Sequence, residues 1–331
     1  MQPPRPDPGV VYDSLLKRKK FEPHPNKISS VLFYLASIII HDCFHTSHED
    51  YAISETSSYL DLAPLYGSNE ADQKKVRKFE DGKLLPDCFA DSRIHGFPPG
   101  VGVLLIMFNR FHNHVVENLA KIDEGGRFSQ LKNPGNNRRR TGLTPKEPDD
   151  KKTRTPSQDY DEALFQTGRL VTTGLYVNIV LQDYVRTILG LNRADVLWNL
   201  DPRADSGKAM FGKKIPEAVG NQCSAEFSLV YRWHSCVSER DTKWTDELMA
   251  SVKKVMDDKT PTLIQAAAKW ADNLKNVDPM QRNFENLKRH DGKFSDDELC
   301  KIWTDSVDDV AGAFGAQHVP ENLKFVEILS M

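Results

Sequence analysis

The residue types and spacings that could do chemistry fall in three places. Ile40–His48 reads IHDCFHTSH, and on a helix His41, His45 and His48 would share one face at the end of an apolar run. Three imidazoles on one stripe could hold a metal, although the HExxH pattern of zinc proteases is absent. The other explanation is a structural or solvated stripe. His41 resists it, because the ring directly follows Ser37-Ile38-Ile39-Ile40 and a buried imidazole there needs a partner or a task. Ala225–His234, AEFSLVYRWH, puts Tyr231 and His234 three residues apart, neighbours on one helical face. Imidazole is a good axial ligand for haem iron. A tyrosine one turn away would lie beside the macrocycle, where its phenol could be oxidised to a radical. An aromatic core helix with a hydrogen-bonded histidine explains the same spacing. In Ser57–Gly67, SSYLDLAPLYG, a carboxylate, hydroxyls and several carbonyls could contribute to the roughly six to eight oxygens that Ca²⁺ takes, although most Ser/Asp loops are only turns.

These groups must be positioned by helices. Apolar and polar residues predict a helical segment from Lys27 through His48, with a short basic helix around Leu15–Lys20 before it and an extended, proline-rich start. Ser57–Ser68 reads as loop, broken by Pro64 and Gly67, and Ile94–Gly102 as a Gly/Pro loop feeding a helix over Val103–Lys121 with Leu105, Phe108, Val115 and Leu119 at helical spacing. A long helix is expected over Asp161–Leu189, with Leu164, Gly168, Val171, Leu175, Asn178 and Leu181 on one side. An irregular stretch with Pro202, Gly212 and Pro216 follows, then a helix around Ser224–Ser238 and a helical C-terminal third from Trp244. Alternating strand patterns are scarce, so the fold class is mainly α with few or no strands. Residues 133–157 are polar, Pro/Gly-rich and locally basic without interleaved aromatics, which reads as a flexible insertion rather than a nucleic-acid arm.

Composition narrows the classes further. The chain has 331 residues, 44 Lys+Arg against 47 Asp+Glu and a net charge of −3, with no general electrostatic case for nucleic acid. The longest apolar stretch, Ile28–Ile40, is thirteen residues, where a membrane span takes about 20. The N-terminus shows no signal-peptide pattern. Five cysteines, odd in number and without a CxxC pair, argue against a disulfide framework and make a reducing, cytoplasmic compartment the expectation.

Taken together, Pro23–Asp42, Ser57–Ser68, Phe108–Ala120, Leu164–Arg193, Ala225–Ser235 and the closing GAFGAQHVPENLKFVEILSM resemble the haem peroxidase/cyclooxygenase superfamily. Within it they are similar to the dioxygenase domain of fungal fatty-acid oxygenases, the linoleate diol synthases and psi-factor-producing oxygenases. The resemblance implies a helical, animal-haem-peroxidase-like fold, haem b as cofactor and oxygenation of a linoleic- or oleic-class unsaturated fatty acid by O₂, with a hydroperoxide as activator and product. It matches His41 to the distal haem histidine, His234 to the proximal iron ligand and Tyr231 to the radical-bearing tyrosine. Asp42, Ser57, Tyr59 (through its carbonyl) and Asp61 fall on a calcium loop, and Ala63 departs from it where relatives present a hydroxyl. His45 and His48 are left as second-layer or surface residues. The resemblance also implies a homo-oligomer, peripheral lipid contact and association with lipid bodies or membranes. Residues 1–331 would form part of a larger oxygenase domain. No thiolate haem-binding loop of the FxxGxxxCxG kind is present, so the P450-like domain that usually follows would be absent. A peroxidase without lipid oxygenation, or a truncated haem-free remnant, are the competing expectations.

Overall fold

The computed structural model describes residues 6–47, 49–50, 52–132, 154–191, 223–255, 263–283 and 287–324. Among them the molecule is helical, and β pairing is limited to isolated bridges. The main helices are α1 (Val31–Cys43), α2 (Pro99–Ile122), α3 (Pro156–Ile179), α4 (Ala225–Val230), α5 (Glu239–Val255), α6 (Leu263–Lys275) and α7 (Asp296–Asp308). None of the helices in the described residues is long and apolar enough to cross a membrane.

α1 is apolar all round, and a helix of that kind belongs inside a core. Leu32 through Ile39 are all buried; α2 packs on α1, and α3 in turn packs on α2. α2 starts four residues before the expected Val103, because Pro99 at its first position is pre-set for the helical φ and lacks the N–H that would be orphaned there. α3 starts on a capping box in which the Gln158 amide N–H donates to Thr155 Oγ1 (3.3 Å) and the Thr155 N–H donates to Gln158 Oε1 (2.8 Å). Most of the 133–157 stretch lies outside the described residues.

The face that α3 buries differs from the expected stripe. Asp161, Leu164, Phe165, Gly168, Thr172 and Tyr176 are inside, whereas Val171 and Leu175 are exposed. Gly168 sets this register. A Cβ there would run into the Val116 side chain and crowd His112, so the bare backbone of α3 sits directly on α2. Asp161 on the same face is reached by Arg77, whose guanidinium contacts Asp161 Oδ2 (2.7 Å) and Glu162 (2.6 Å) and lies 3.9 Å from the Phe165 ring centroid.

The N-terminal segment is not the basic helix the sequence suggests. A short helix over Pro8–Val11 runs into a wide turn over Tyr12–Leu16. The chain then pairs with the C-terminal segment through bridges Lys17–Val319, Pro23–Gly312 and Ser29–Val310. Tyr12 is buried there and donates to the Pro320 carbonyl (2.8 Å). The helices from Glu239 onward follow the expected helical C-terminal third.

Arg77→Met removes the cation that pairs with buried Asp161 and leaves it, among the described residues, the Gly82 N–H (2.7 Å) as a donor. Breaking such a pair costs about 3–5 kcal/mol, to be read as a lower urea midpoint with an unchanged m-value.

Candidate active site

The C-terminal end of α1 carries two neighbouring residues that point to different tasks. His41 Nδ1 lies 2.7 Å from the Ser37 carbonyl one turn back. A carbonyl only accepts, so Nδ1 carries the hydrogen and Nε2 keeps its lone pair. Burial, followed by the positive charge of Arg93, pushes His41 down to about 4, so the ring is neutral near pH 7. The Phe97 ring meets it edge-on at 4.9 Å. Asp42, fully buried, turns the other way. Its Oδ1 accepts from the Ala63 N–H (2.7 Å) and its Oδ2 from the Leu62 N–H (3.0 Å), which clamps the loop after Ser57 onto α1. Leu62 adopts φ 60°, a left-handed conformation that a leucine takes only under constraint, and the carboxylate supplies that constraint.

His41 lines a cavity of about 360 Å³ together with His45, Lys75, Asp91, Arg93 and Arg282. Arg93 chelates Asp91 through Nε (3.0 Å) and Nη2 (2.7 Å), and its Nη2 also reaches the His41 carbonyl at 3.5 Å. Burial alone would raise the Asp91 carboxyl, but the charge and hydrogen bonds of Arg93 prevail and hold it at about 2. The pair is therefore ionised beside a neutral imidazole. Sequence reasoning missed Arg93 and Asp91, since nothing in the spacing of an isolated Asp-x-Arg just before the Gly/Pro loop marks it. His45 contacts Glu55 at 3.2 Å, and His48 lies outside the described residues.

Tyr231 and His234 do not share a helix. α4 stops at Val230, Tyr231 leaves it at φ −79°, ψ 73°, and His234 opens a single tight turn, His234–Cys236. The expected continuous helix over Ser224–Ser238 is not formed, and the carbonyls that follow His234 are bound from elsewhere. Arg18 Nη2 donates to the carbonyls of Ser235 (3.1 Å) and Val237 (2.8 Å), and the Gly312 N–H donates to that of Cys236 (2.9 Å). Tyr231 is half-buried in aromatic rings: Phe227 stacked at 5.0 Å, Trp233 edge-on at 5.8 Å and Phe44 at 6.5 Å. Its hydroxyl lies 2.8 Å from that of Tyr184. Phe44 is the residue that ends α1, three positions after His41, so the tyrosine segment is packed against the end of the helix that bears the histidine.

Residues 86–287, more than half of the chain, match the family described as "Animal haem peroxidase". The chain belongs to the animal haem peroxidase family. The matched region includes Arg93, Tyr231 and His234. The chain is 52% identical to Psi-producing oxygenase A of Aspergillus fumigatus, with 99% of this chain and 29% of that protein covered. It is 52% identical to the linoleate diol synthase of Gaeumannomyces graminis (99% and 27%) and 47% identical to linoleate 10R-lipoxygenase of A. fumigatus (98% and 28%). The chain thus spans less than a third of the length of these relatives. Among solved structures, rice (Oryza sativa) fatty acid alpha-dioxygenase aligns with a TM-score of 0.50 at 17% identity, over 96% of this chain and 55% of that one, a likeness of fold.

The family implies a haem, and of the two histidines that the resemblance offers for it His41 lines the cavity and His234 does not. Two imidazoles come from adjoining elements, His41 from α1 and His234 from the turn whose Cys236 shares the α1 core, and the His41 lone pair sits on the outward nitrogen. The calcium residues fit less well. Ala63 has no side-chain oxygen, Tyr59 is 55% exposed, and both Asp42 oxygens already accept backbone N–H groups. Asp61 pairs with Arg169 at 3.6 Å through Oδ2, and its Oδ1 is buried without a donor. One such oxygen is far from the roughly six to eight of a calcium shell, and among the described residues no cluster of three or more His, Cys, Asp or Glu could hold a metal.

In the haem-free chain, the His41 ring protons followed by NMR are expected to titrate with a midpoint near 4. Arg93→Gln, which removes a nearby positive charge, raises that midpoint. A parental midpoint near the ordinary 6.5 contradicts the assigned environment.

Proposed function

We propose that this chain carries haem-dependent oxygenation of an unsaturated fatty acid of the linoleic or oleic class, with Tyr231 as the hydrogen-abstracting residue. The observation that carries the reading is a tyrosine phenol held in an aromatic cage against the end of the His41 helix and three residues before a second histidine. The names of the similar proteins, which include linoleate diol synthase and linoleate 10R-lipoxygenase, support the same substrate class. The five free cysteines are consistent with action in a reducing, cytoplasmic compartment.

His234 is the residue that would hold the haem iron, and His41 would face the group from the other side. When bound, the haem supplies the redox chemistry that activates a hydroperoxide and oxidises Tyr231. The residues of the chain then divide the work. Neutral His41 takes the hydroperoxide proton on Nε2, which its bond to Ser37 leaves free. Burial, with the Arg93 charge prevailing over the opposing Asp91 charge, discourages the ring from holding a proton between turnovers. Tyr231, having lost its phenolic hydrogen atom, removes one from the substrate's activated methylene. O₂ adds to the carbon radical. The resulting peroxyl group recovers a hydrogen atom from Tyr231, so the lipid leaves as a hydroperoxide and the tyrosyl radical is restored. Phe44 and Phe227 present apolar ring surface next to the phenol, suited to an acyl chain.

A second reading, peroxidase turnover of small reductants, is favoured by the polar lining of the His41 cavity, with Lys75, Asp91 and Arg93 at its wall. The two are separated by one variant. Tyr231→Phe is expected to keep the haem absorption band and peroxidase turnover of a small phenol while O₂ uptake with linoleate falls by at least about 100-fold, a loss of the size expected when a reacting group is removed. His234→Ala is expected to lose the haem band itself. Linoleate oxygenation that survives in Tyr231→Phe removes the radical role, and a parental chain with no haem band after reconstitution removes the reading altogether.

A further inference from the structure

The cavity that His41 lines has a second wall, built by the segment after α6. α6 ends at Lys275, and three residues later the Asp278 carboxylate caps a single tight turn, Pro279–Gln281, by accepting the Met280 N–H at 2.8 Å. That turn delivers Arg282 inward, to 5% exposure. Lys275, Asn276, Pro279 and Arg282 all line the cavity. α6 itself packs on the Ser92–Gly96 turn, where Trp270 lies 3.6 Å from the place that a Cβ on Gly96 would take.

A buried guanidinium needs a carboxylate, or enough carbonyls to occupy its nitrogens. Arg18 and Arg289 take the second course, each committing Nε and both terminal nitrogens to carbonyls or a hydroxyl. Arg282 completes only part of it. Its Nε donates to the Val277 carbonyl (3.1 Å) and its Nη1 to that of Ala90 (3.0 Å), while Nη2 donates to no group among the described residues. Nη2 is not sealed from solvent either, so it opens on the cavity that the residue lines. Burial lowers the guanidinium from its ordinary value, and it stays cationic.

The charges around it do not cancel. Both acids of the lining are taken: Arg93 chelates Asp91 (2.7 Å), and Asp72 accepts from Lys75 (2.9 Å). That leaves Arg282 at the back and Lys275 at the mouth, the latter 62% exposed and no closer than 3.7 Å to Asp272. The recess offers little to an acyl chain. Its apolar members are Ala63, Pro64, Ala90 and Pro279, with no Leu, Ile, Val, Phe or Met. One buried guanidinium nitrogen and one ammonium in polar surroundings match a compact group with several acceptor oxygens and a negative charge.

We propose that this recess is a binding site for a small oxyanion, a carboxylate or a phosphate, held between Arg282 Nη2 and the Lys275 ammonium. A fatty-acid head and a haem carboxylate carry the same chemistry; the polar lining assigns the site to the free ion. None of the rings around Tyr231 lines the recess, so the assignment is independent of the reading of Tyr231 as the abstracting residue.

In the haem-free full chain, titration calorimetry with inorganic phosphate at constant ionic strength is expected to show saturable one-to-one binding, with acetate displacing phosphate. Lys275→Ala should weaken phosphate by about two- to five-fold, the range of one exposed charge pair. Arg282→Lys, which keeps the charge and gives up the planar donor, should weaken it by about ten-fold. Lys301→Ala removes an exposed lysine of α7 that lies outside the lining and should change nothing. Octanoate should bind no more tightly than acetate, and phosphate should bind the haem-reconstituted chain as well as the haem-free one. No saturable binding, an unchanged affinity in Lys275→Ala, or an equal loss in Lys301→Ala overturns the site. Octanoate tighter than acetate by more than about ten-fold, as buried methylenes would give, or phosphate binding lost on haem reconstitution, overturns the assignment to a free ion. If Arg282→Lys does not melt like the parent, Lys275→Ala decides, its side chain being largely in solvent. A chain that takes up no haem leaves the haem-free titrations intact, so this proposal and the proposed function fail separately.

Discussion

The turn that carries His234 cannot satisfy its own backbone. α4 has ended, the tight turn is one residue triplet long, and the carbonyls that follow face the interior, where an unpaired carbonyl costs about 1–3 kcal/mol. Arg18 resolves this by donating to Ser235 and Val237 while its Nε donates to the His318 carbonyl at 2.7 Å. Burial pushes the Arg18 guanidinium down from its ordinary value, but it remains cationic at any relevant pH. One side chain thereby joins the N-terminal segment, the C-terminal segment and the histidine turn. Gly312 completes the junction, because a Cβ there would strike the Ser235 carbonyl and its N–H must reach that of Cys236. The direction of Tyr231 and Trp233 follows from this fixed point.

On the other wall, adjacent residues of one helix serve separate purposes because successive side chains point about 100° apart. His41 faces the polar cavity and stays neutral; Asp42 faces the protein and is consumed in holding Leu62 and Ala63. Burial raises the Asp42 carboxyl, and the adjacent Asp61 charge adds to that, with the two backbone N–H groups acting against both. The loop backbone and Arg169 thus occupy much of the acidic oxygen in this region. The charges that act on His41 come from the Arg93–Asp91 pair, on a different element from either histidine.

Much of this was legible in the residues. The uniformly apolar α1 had to be buried, the Pro and Ser/Thr signals marked helix starts, and His41, Tyr231 and His234 stood out by type and context. The details that failed were phases and ends. Of the stripe expected on α3, Leu164 and Gly168 are buried, but Val171 and Leu175 are exposed. The buried face instead follows Gly168 and Asp161, a residue with no side chain and a charged one whose cation, Arg77, sits 84 positions earlier. Residues 15–20 look helical by composition, yet Lys17 and Arg18 pair with a segment about 300 positions away.

Sequence by itself determined which chemistry was available: a histidine at the end of a core helix, a Tyr-x-x-His segment, and helices enough to enclose them. Tertiary structure decided which residues stand beside those groups. Arg18, Arg93 and Tyr184 carry no local signal, since each acts through a partner brought close by packing and each depends on helix register. A close approach at Gly168 sets that register for α3. Periodicity reports only which side of a segment prefers the interior; it cannot report which distant group will be waiting there.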